Sequence, residues 1–165
     1  MKINGREVIN LSKYVFINTD NYIKEIDQTN SETITVKEAQ LRNIKPHELI
    51  PWSELNQDDE VIVYENEDDF DNLQIYKANE IIEEIKVYID KKYVYTINGA
   101  LDIKRGEKFV EYIKENITTE IDLISIWLGD ETKLQEEIVN IKELELKDIM
   151  KIFNEDNYKV KIVFK

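Results

Sequence analysis

Residues Ile121-Asp-Leu-Ile-Ser-Ile-Trp-Leu128 are apolar on both parities of an extended chain, Leu123 and Trp127 on one and Ile124, Ile126 and Leu128 on the other. A strand with that pattern is covered on both faces. The elements around it are legible from their periods. Upstream, Phe109, Val110, Ile113 and Ile117 recur at helical spacing, with Gly106 just before them. Downstream, Gly129-Asp130 supplies a turn and Leu134–Leu144 a return strand centred on Ile138 and Val139. Leu146, Ile149, Met150 and Phe153 then predict a second amphipathic helix. Tyr158, Val160, Ile162 and Phe164 alternate with Lys159, Lys161, Val163 and Lys165, so the last strand is expected to have an apolar face and an outer, lysine-rich face that discourages edge pairing.

Further upstream, Val94–Ile97, Asn98-Gly99 and Ala100–Ile103 spell a hairpin, because Asn-Gly suits a type I′ turn. Ile85, Val87 and Ile89 alternate and suggest another strand, although Ile81, Ile82, Ile85 and Ile89 also fit a helix face. The resulting order of strand, helix, strand, strand, helix, strand predicts an α+β fold whose carboxyl half is a split βαβ, ferredoxin-like sheet with two helices on one face.

The amino half reads as β-rich and less regular. Ile3-Asn-Gly-Arg6 is a possible turn, Tyr14–Ile17 and Tyr22–Ile26 are short strands, and Thr33–Val36 is expected to pair with them. Thr35 with Glu38 resembles a capping box opening a short helix over Val36–Ile44, stopped by Pro46. Val61–Tyr64 and Leu73–Tyr76 are strand-like. No linker rich in Gly, Ser or Pro separates the halves, so residues 1–80 and 81–165 are expected as subdomains with a soft boundary, or as one domain.

Charge is the distinctive property. The 165 residues carry 35 acids and 22 bases for a net of −13, beyond the usual magnitude of about 2–8 for a compact domain. Pro46–Tyr76 holds ten acids and no Lys or Arg. Nucleic acid and anionic membranes are disfavoured as partners, and a basic protein or a cation is favoured. An apolar content of 42% excludes a disordered acidic tail. The absence of Cys excludes disulfide scaffolds, zinc ribbons and thiol catalysis. No stretch approaches the ~20 apolar residues that cross a bilayer, and the opening Met1-Lys-Ile-Asn-Gly-Arg6 lacks a leader's apolar region. A complete, cytoplasmic chain is expected.

Catalytic motifs are missing. None of Ser12, Ser31, Ser53 and Ser125 lies in Gly-x-Ser-x-Gly, and the four Gly are too dispersed for a phosphate loop. His47 is the only histidine, which excludes a His-based transition-metal site and suits a surface turn. Glu65-Asn-Glu-Asp-Asp-Phe-Asp-Asn72 crowds five carboxylates into one loop. It lacks the sixth-position glycine of a Ca²⁺-binding EF-hand loop, since counting from Asp69 puts Gln74 there and the window holds no Gly. No catalytic residue, metal ligand or cofactor is therefore assigned. Trp127 is expected in the core. Trp52 beside the acidic window is a possible interface anchor, or a loop side chain covering the core.

Val94-Tyr-Thr-Ile-Asn-Gly99 followed by a helix resembles the opening of barstar-type inhibitors over a short stretch. The chain lacks room for the middle helix of that family, so no site is carried over. The profile of one acidic domain without catalytic residues resembles small bacterial and phage inhibitors in general. The expected function is a non-catalytic immunity or inhibitor protein that occludes a basic surface of a toxin nuclease or other nucleic-acid-processing enzyme. Its expected contacts are Trp52, Glu54, Asp58, Asp59, Glu60, Glu65, Glu67, Asp68, Asp69 and Asp71. The alternatives are a structural or adaptor protein of a phage or mobile element, and a divalent-metal hydrolase using Asp and Glu.

Overall fold

The two-sided apolar run does become an interior strand of a seven-stranded sheet. The structure is a computed structural model and describes residues 13–46, 50–66, 68–69, 72–98, 102–129 and 133–165. Its elements are β1 (Lys13–Thr19), β2 (Ile26–Asp27), β3 (Ser31–Thr35), α1 (Val36–Leu41), β4 (Glu60–Tyr64), β5 (Gln74–Lys77), β6 (Tyr93–Ile97), α2 (Ile103–Asn116), β7 (Ile121–Trp127), β8 (Gln135–Asn140), α3 (Leu146–Asn154) and β9 (Tyr158–Val163). Seven strands form one sheet in the order β2-β5-β6-β1-β7-β9-β8, and β3 pairs with β4 in a second. The pairs β5–β6, β6–β1, β1–β7 and β7–β9 are antiparallel, and β8 runs parallel to β9. This is an α+β fold with a mostly antiparallel sheet.

Two compact units result: residues up to Ile26 together with Leu73–Lys165, and Asp27–Asn72. The sequence suggested a boundary near residue 80. The chain instead leaves the large unit after Ile26 and re-enters it at Leu73, because β1 from the amino half sits in the middle of the seven-stranded sheet.

In the large unit β7 is shared by two cores. Ile121 and Leu123 join Ile17, Tyr95, Val160 and Ile162 beneath Phe109, Tyr112 and Ile113 of α2 and Ile149 and Ile152 of α3. Both helices therefore lie on one face, as expected. Ile124 and Ile126 point the other way, into a smaller cluster with Phe16, Val94 and Ile85. Each such buried side chain contributes about 1.5–3 kcal/mol. Asp102 caps α2 by accepting from the Arg105 amide at 2.8 Å, and α3 opens with reciprocal capping between Glu145 and Asp148. Gly106 lies inside α2. A Cβ there would come within 2.6 Å of Leu146 Cδ1 and 3.1 Å of Met150 Sδ, so its bare backbone lets α2 and α3 approach.

Several expectations are corrected. The chain order strand, helix, strand, strand, helix, strand holds from β6 to β9, but β1 separates β6 from β7 and β9 lies between β7 and β8, so the ferredoxin-like strand order is not reproduced. The second arm of the Asn98-Gly99 hairpin does not form at its far end. Ile103 begins α2, because Asp102 is a better helix cap than strand residue; residues 99–101 lie outside the described residues. Glu83–Tyr88 is a 3-10 helix that buries Ile85 and leaves Val87 82% exposed, so the helical reading of that stretch prevails over the strand. Tyr22–Ile26 yields only the two-residue β2, and β3 pairs with β4 rather than with its amino-terminal neighbours. Trp127 ends β7 half-buried, its indole N–H donating to Asp156 at 2.6 Å. The turn expected at Ile3–Arg6 lies outside the described residues.

The lysine face of β9 is also reassigned. β9 is interior, and its lysines are used in ion pairs rather than as edge protection. Lys159 lies 3.7 Å from Asp122 and 3.4 Å from Glu136, and Lys161 lies 2.7 Å from Glu120. Lys91 completes the network at 2.7 Å from Asp122 and 3.3 Å from Glu120. Buried Asn18 holds the Lys91 segment in place. Its amide donates to the Lys91 and Tyr93 carbonyls at 3.1 and 3.0 Å, and its oxygen accepts from the Asp90 and Lys91 amides, both at 3.1 Å. Three lysines thus meet three carboxylates, and the network carries no net charge.

Candidate interaction surface

The charge of the molecule divides as its contacts do. Asp27–Asn72 carries 13 acids against Lys37, Arg42 and Lys45, a net of −10 in 46 residues. The other 119 residues carry 22 acids and 19 bases, a net of −3. The expected acidic window is therefore most of a separate compact unit.

That unit is built from a strand pair and one short helix. The β3–β4 register sets Thr35 opposite Glu60, Ile34 opposite Val61, Thr33 opposite Ile62, Glu32 opposite Val63 and Ser31 opposite Tyr64. Alternation then places Glu32, Ile34, Val61 and Val63 on one face, with Ser31, Thr33, Thr35, Glu60, Ile62 and Tyr64 on the other. Thr35 caps α1 by accepting from the Glu38 amide at 3.2 Å, as its spacing predicts. The first amides of α1 donate to the carbonyls of Asp59 and Gln57 at 2.9 and 3.0 Å, which ties the helix to the turn before β4. Val36, Ala39 and Ile34 are buried.

The expected contact residues fall into three groups. Glu54, Asp58, Glu60, Glu65 and Asp68 are exposed. Among the described residues none of the five pairs with a lysine or arginine. By contrast, Arg42 neutralises Glu32 at 2.7 Å and also pairs with Glu38, and its bonds to Glu32 hold that carboxyl below the usual range.

Asp59, Asp69 and Trp52 are used inside the unit. Asp59 accepts from the Asn56 amide at 2.8 Å and closes the turn before β4. Asp69 is only 8% exposed. It accepts from the Asn66 amide at 3.1 Å and from the side chains of Asn66 and Asn72, both at 3.0 Å. The expectation that Asp69 faces outward is corrected: neighbouring asparagines supply the donors that draw it inward. Trp52 is half-buried and donates its indole N–H to the Ile44 carbonyl at 3.1 Å, so its polar edge is not free for a partner. Glu67, Asp71 and His47 lie outside the described residues.

Sequence reasoning missed the apolar component of this surface. Ile62 is 61% exposed at the centre of β4, and Leu41 and Ile50 are exposed as well. The only signal was that Val61, Ile62 and Val63 cannot all face inward in one strand.

Among the described residues no group of His, Cys, Asp and Glu is arranged to hold a metal ion, and no helix is long and apolar enough to cross a membrane. No protein-family model matches the chain, and neither a curated protein nor a solved structure is significantly similar to it.

Proposed function

We propose that this chain is a non-catalytic binding protein whose acidic unit, Asp27–Asn72, occludes a basic surface of another protein, as an immunity or inhibitor protein does to a toxin nuclease or other nucleic-acid-processing enzyme. The observation that carries this reading is the segregation of charge, −10 in one 46-residue unit against −3 in the rest. Like charges held together oppose compaction. Five of these carboxylates are exposed and, among the described residues, pair with no lysine or arginine. They raise the encounter rate with a basic surface, and they imitate the phosphates such a surface normally receives. Repulsion of the same origin opposes direct binding to nucleic acid.

The test is affinity capture with the full chain from its source cells at low and high salt. The control is a variant carrying Glu54→Gln, Asp58→Asn, Glu60→Gln, Glu65→Gln and Asp68→Asn. The proposal expects a basic protein retained by the wild type alone, released by salt, and inhibited on RNA or DNA when the chain is added back. Retention of the same proteins by both chains overturns it. A captured protein whose activity is unchanged would move the reading to a structural or adaptor role.

A further inference from the structure

We infer that the docking face is the outer side of the β3–β4 pair, with Ile62 as its apolar anchor and a basic protein as its occupant. The inference rests on the reading above and specifies which part of the unit makes contact. The opposite face of the pair carries buried Ile34 with half-buried Val61 and Val63, so Ile62 stands on the side away from the unit's buried residues. Ile62 is 61% exposed, directly opposite Thr33, with Glu60 and Tyr64 two residues away on the same face.

The uncompensated charge is placed around the same strand. Glu60 opens β4 on the Ile62 face, Asp58 precedes the strand, and Glu65 and Asp68 follow it, all exposed. Arg42 already pairs with Glu32 and Glu38, which removes those two acids from the uncompensated charge. An apolar centre with a charged rim is the usual division of labour in an interface: the centre, once dry, supplies most of the free energy and the rim supplies steering. Charge also selects the occupant. A second copy seated on this face would set the same acids against each other, since a two-fold contact presents one patch to itself. Nucleic acid and anionic lipid meet the same repulsion. A protein surface bearing Lys and Arg around an apolar depression complements it.

The experiment is site-specific photo-crosslinking in source-cell lysate. The full chain carries p-benzoylphenylalanine in place of Ile62, or in place of Val87 or Ile138, which are exposed on the large unit. Adducts are identified by mass spectrometry, and the captured protein is then purified for kinetics. The expected result is an adduct with a basic protein from position 62 alone, lost when the five exposed carboxylates are neutralised. With the purified partner, Ile62→Ser should dissociate roughly 10- to 100-fold faster with little change in association rate, which is the loss of one buried aliphatic side chain. The carboxylate variant should instead lose association rate. An adduct from position 87 or 138 but not 62 overturns the face and leaves the binding function standing. No adduct from any position overturns both. A product joining two copies, or one with an acidic protein, overturns the occupant.

Discussion

Replacing Lys91 by Met should cost the large unit about 3 kcal/mol. The Lys91 side chain is 9% exposed and that of Asp122 is 1% exposed, with 2.7 Å between their charged atoms. At an effective dielectric of about 20, two charges at that distance attract by roughly 6 kcal/mol, and desolvation of each ion offsets several kcal/mol of it. The pair as a whole is therefore worth little, but removing one partner strands the other, typically at about 3–5 kcal/mol. The lower end applies here because Lys159 remains 3.7 Å from Asp122. One oxygen of Asp122 already lacks a hydrogen-bond partner among the described residues, so little else can compensate. The assay is urea unfolding followed by Trp127 fluorescence in a Trp52→Phe background, since Trp127 lies in the large unit and Trp52 in the small one. For a chain of this length the same loss should lower Tm by roughly 6–12 °C. Lys91→Met with Asp122→Leu should recover most of the stability, because the stranded charge is gone. A Lys91→Met loss below about 1 kcal/mol, or a double variant no better than the single, would refute the view that this network is buried and coupled.

Asp69→Ala should destabilise the small unit by about 1–3 kcal/mol, because donors from Asn66 and Asn72 lose their acceptor, whereas exposed Asp68→Asn should stay within about 0.5 kcal/mol; Trp52 fluorescence reports both. The Glu137 carboxyl is held below its ordinary range by hydrogen bonds from Lys151 and then Tyr158. Its contribution is present above the unfolded carboxylate value and is lost as pH falls through the lowered folded value, so Glu137→Gln should flatten the acid side of the stability profile. Burial pushes the Tyr112 hydroxyl up to about 12, and it donates to the Lys24 carbonyl. Spectrophotometric titration should show a late tyrosine that vanishes in Tyr112→Phe.

The parts of the fold that sequence conveyed are those whose side chains obey one period. β7 announced itself by being apolar on both parities, α3 by its i, i+3, i+4, i+7 stripe, and α1 by Thr35 and Glu38. What failed depended on distant partners. Nothing local to Tyr14–Ile17 says that β1 enters between β6 and β7, and pairing partners are what separate this sheet from a ferredoxin-like one. The lysines of β9 looked like solvent residues because their counter-charges, Asp122, Glu120 and Glu136, come from β7, the segment just before it and β8. Within the candidate surface, the acidic window was legible as charge. Its division into exposed Glu54, Asp58, Glu60, Glu65 and Asp68 and inward-turned Asp59 and Asp69 was not, because that depends on which asparagine donors the turns bring within reach. Ile62 was hidden by its equally apolar neighbours.

The carboxylates of Asp27–Asn72 are proposed to recognise a basic protein through long-range attraction. The most direct measurement is the association rate of the full chain with its captured partner as ionic strength rises. A steep fall, at least about tenfold as the Debye length shrinks from about 10 Å to about 3 Å, is predicted, and the five-carboxylate variant should lose most of that slope. A rate that is flat across this range, or a slope unchanged in the variant, would contradict it.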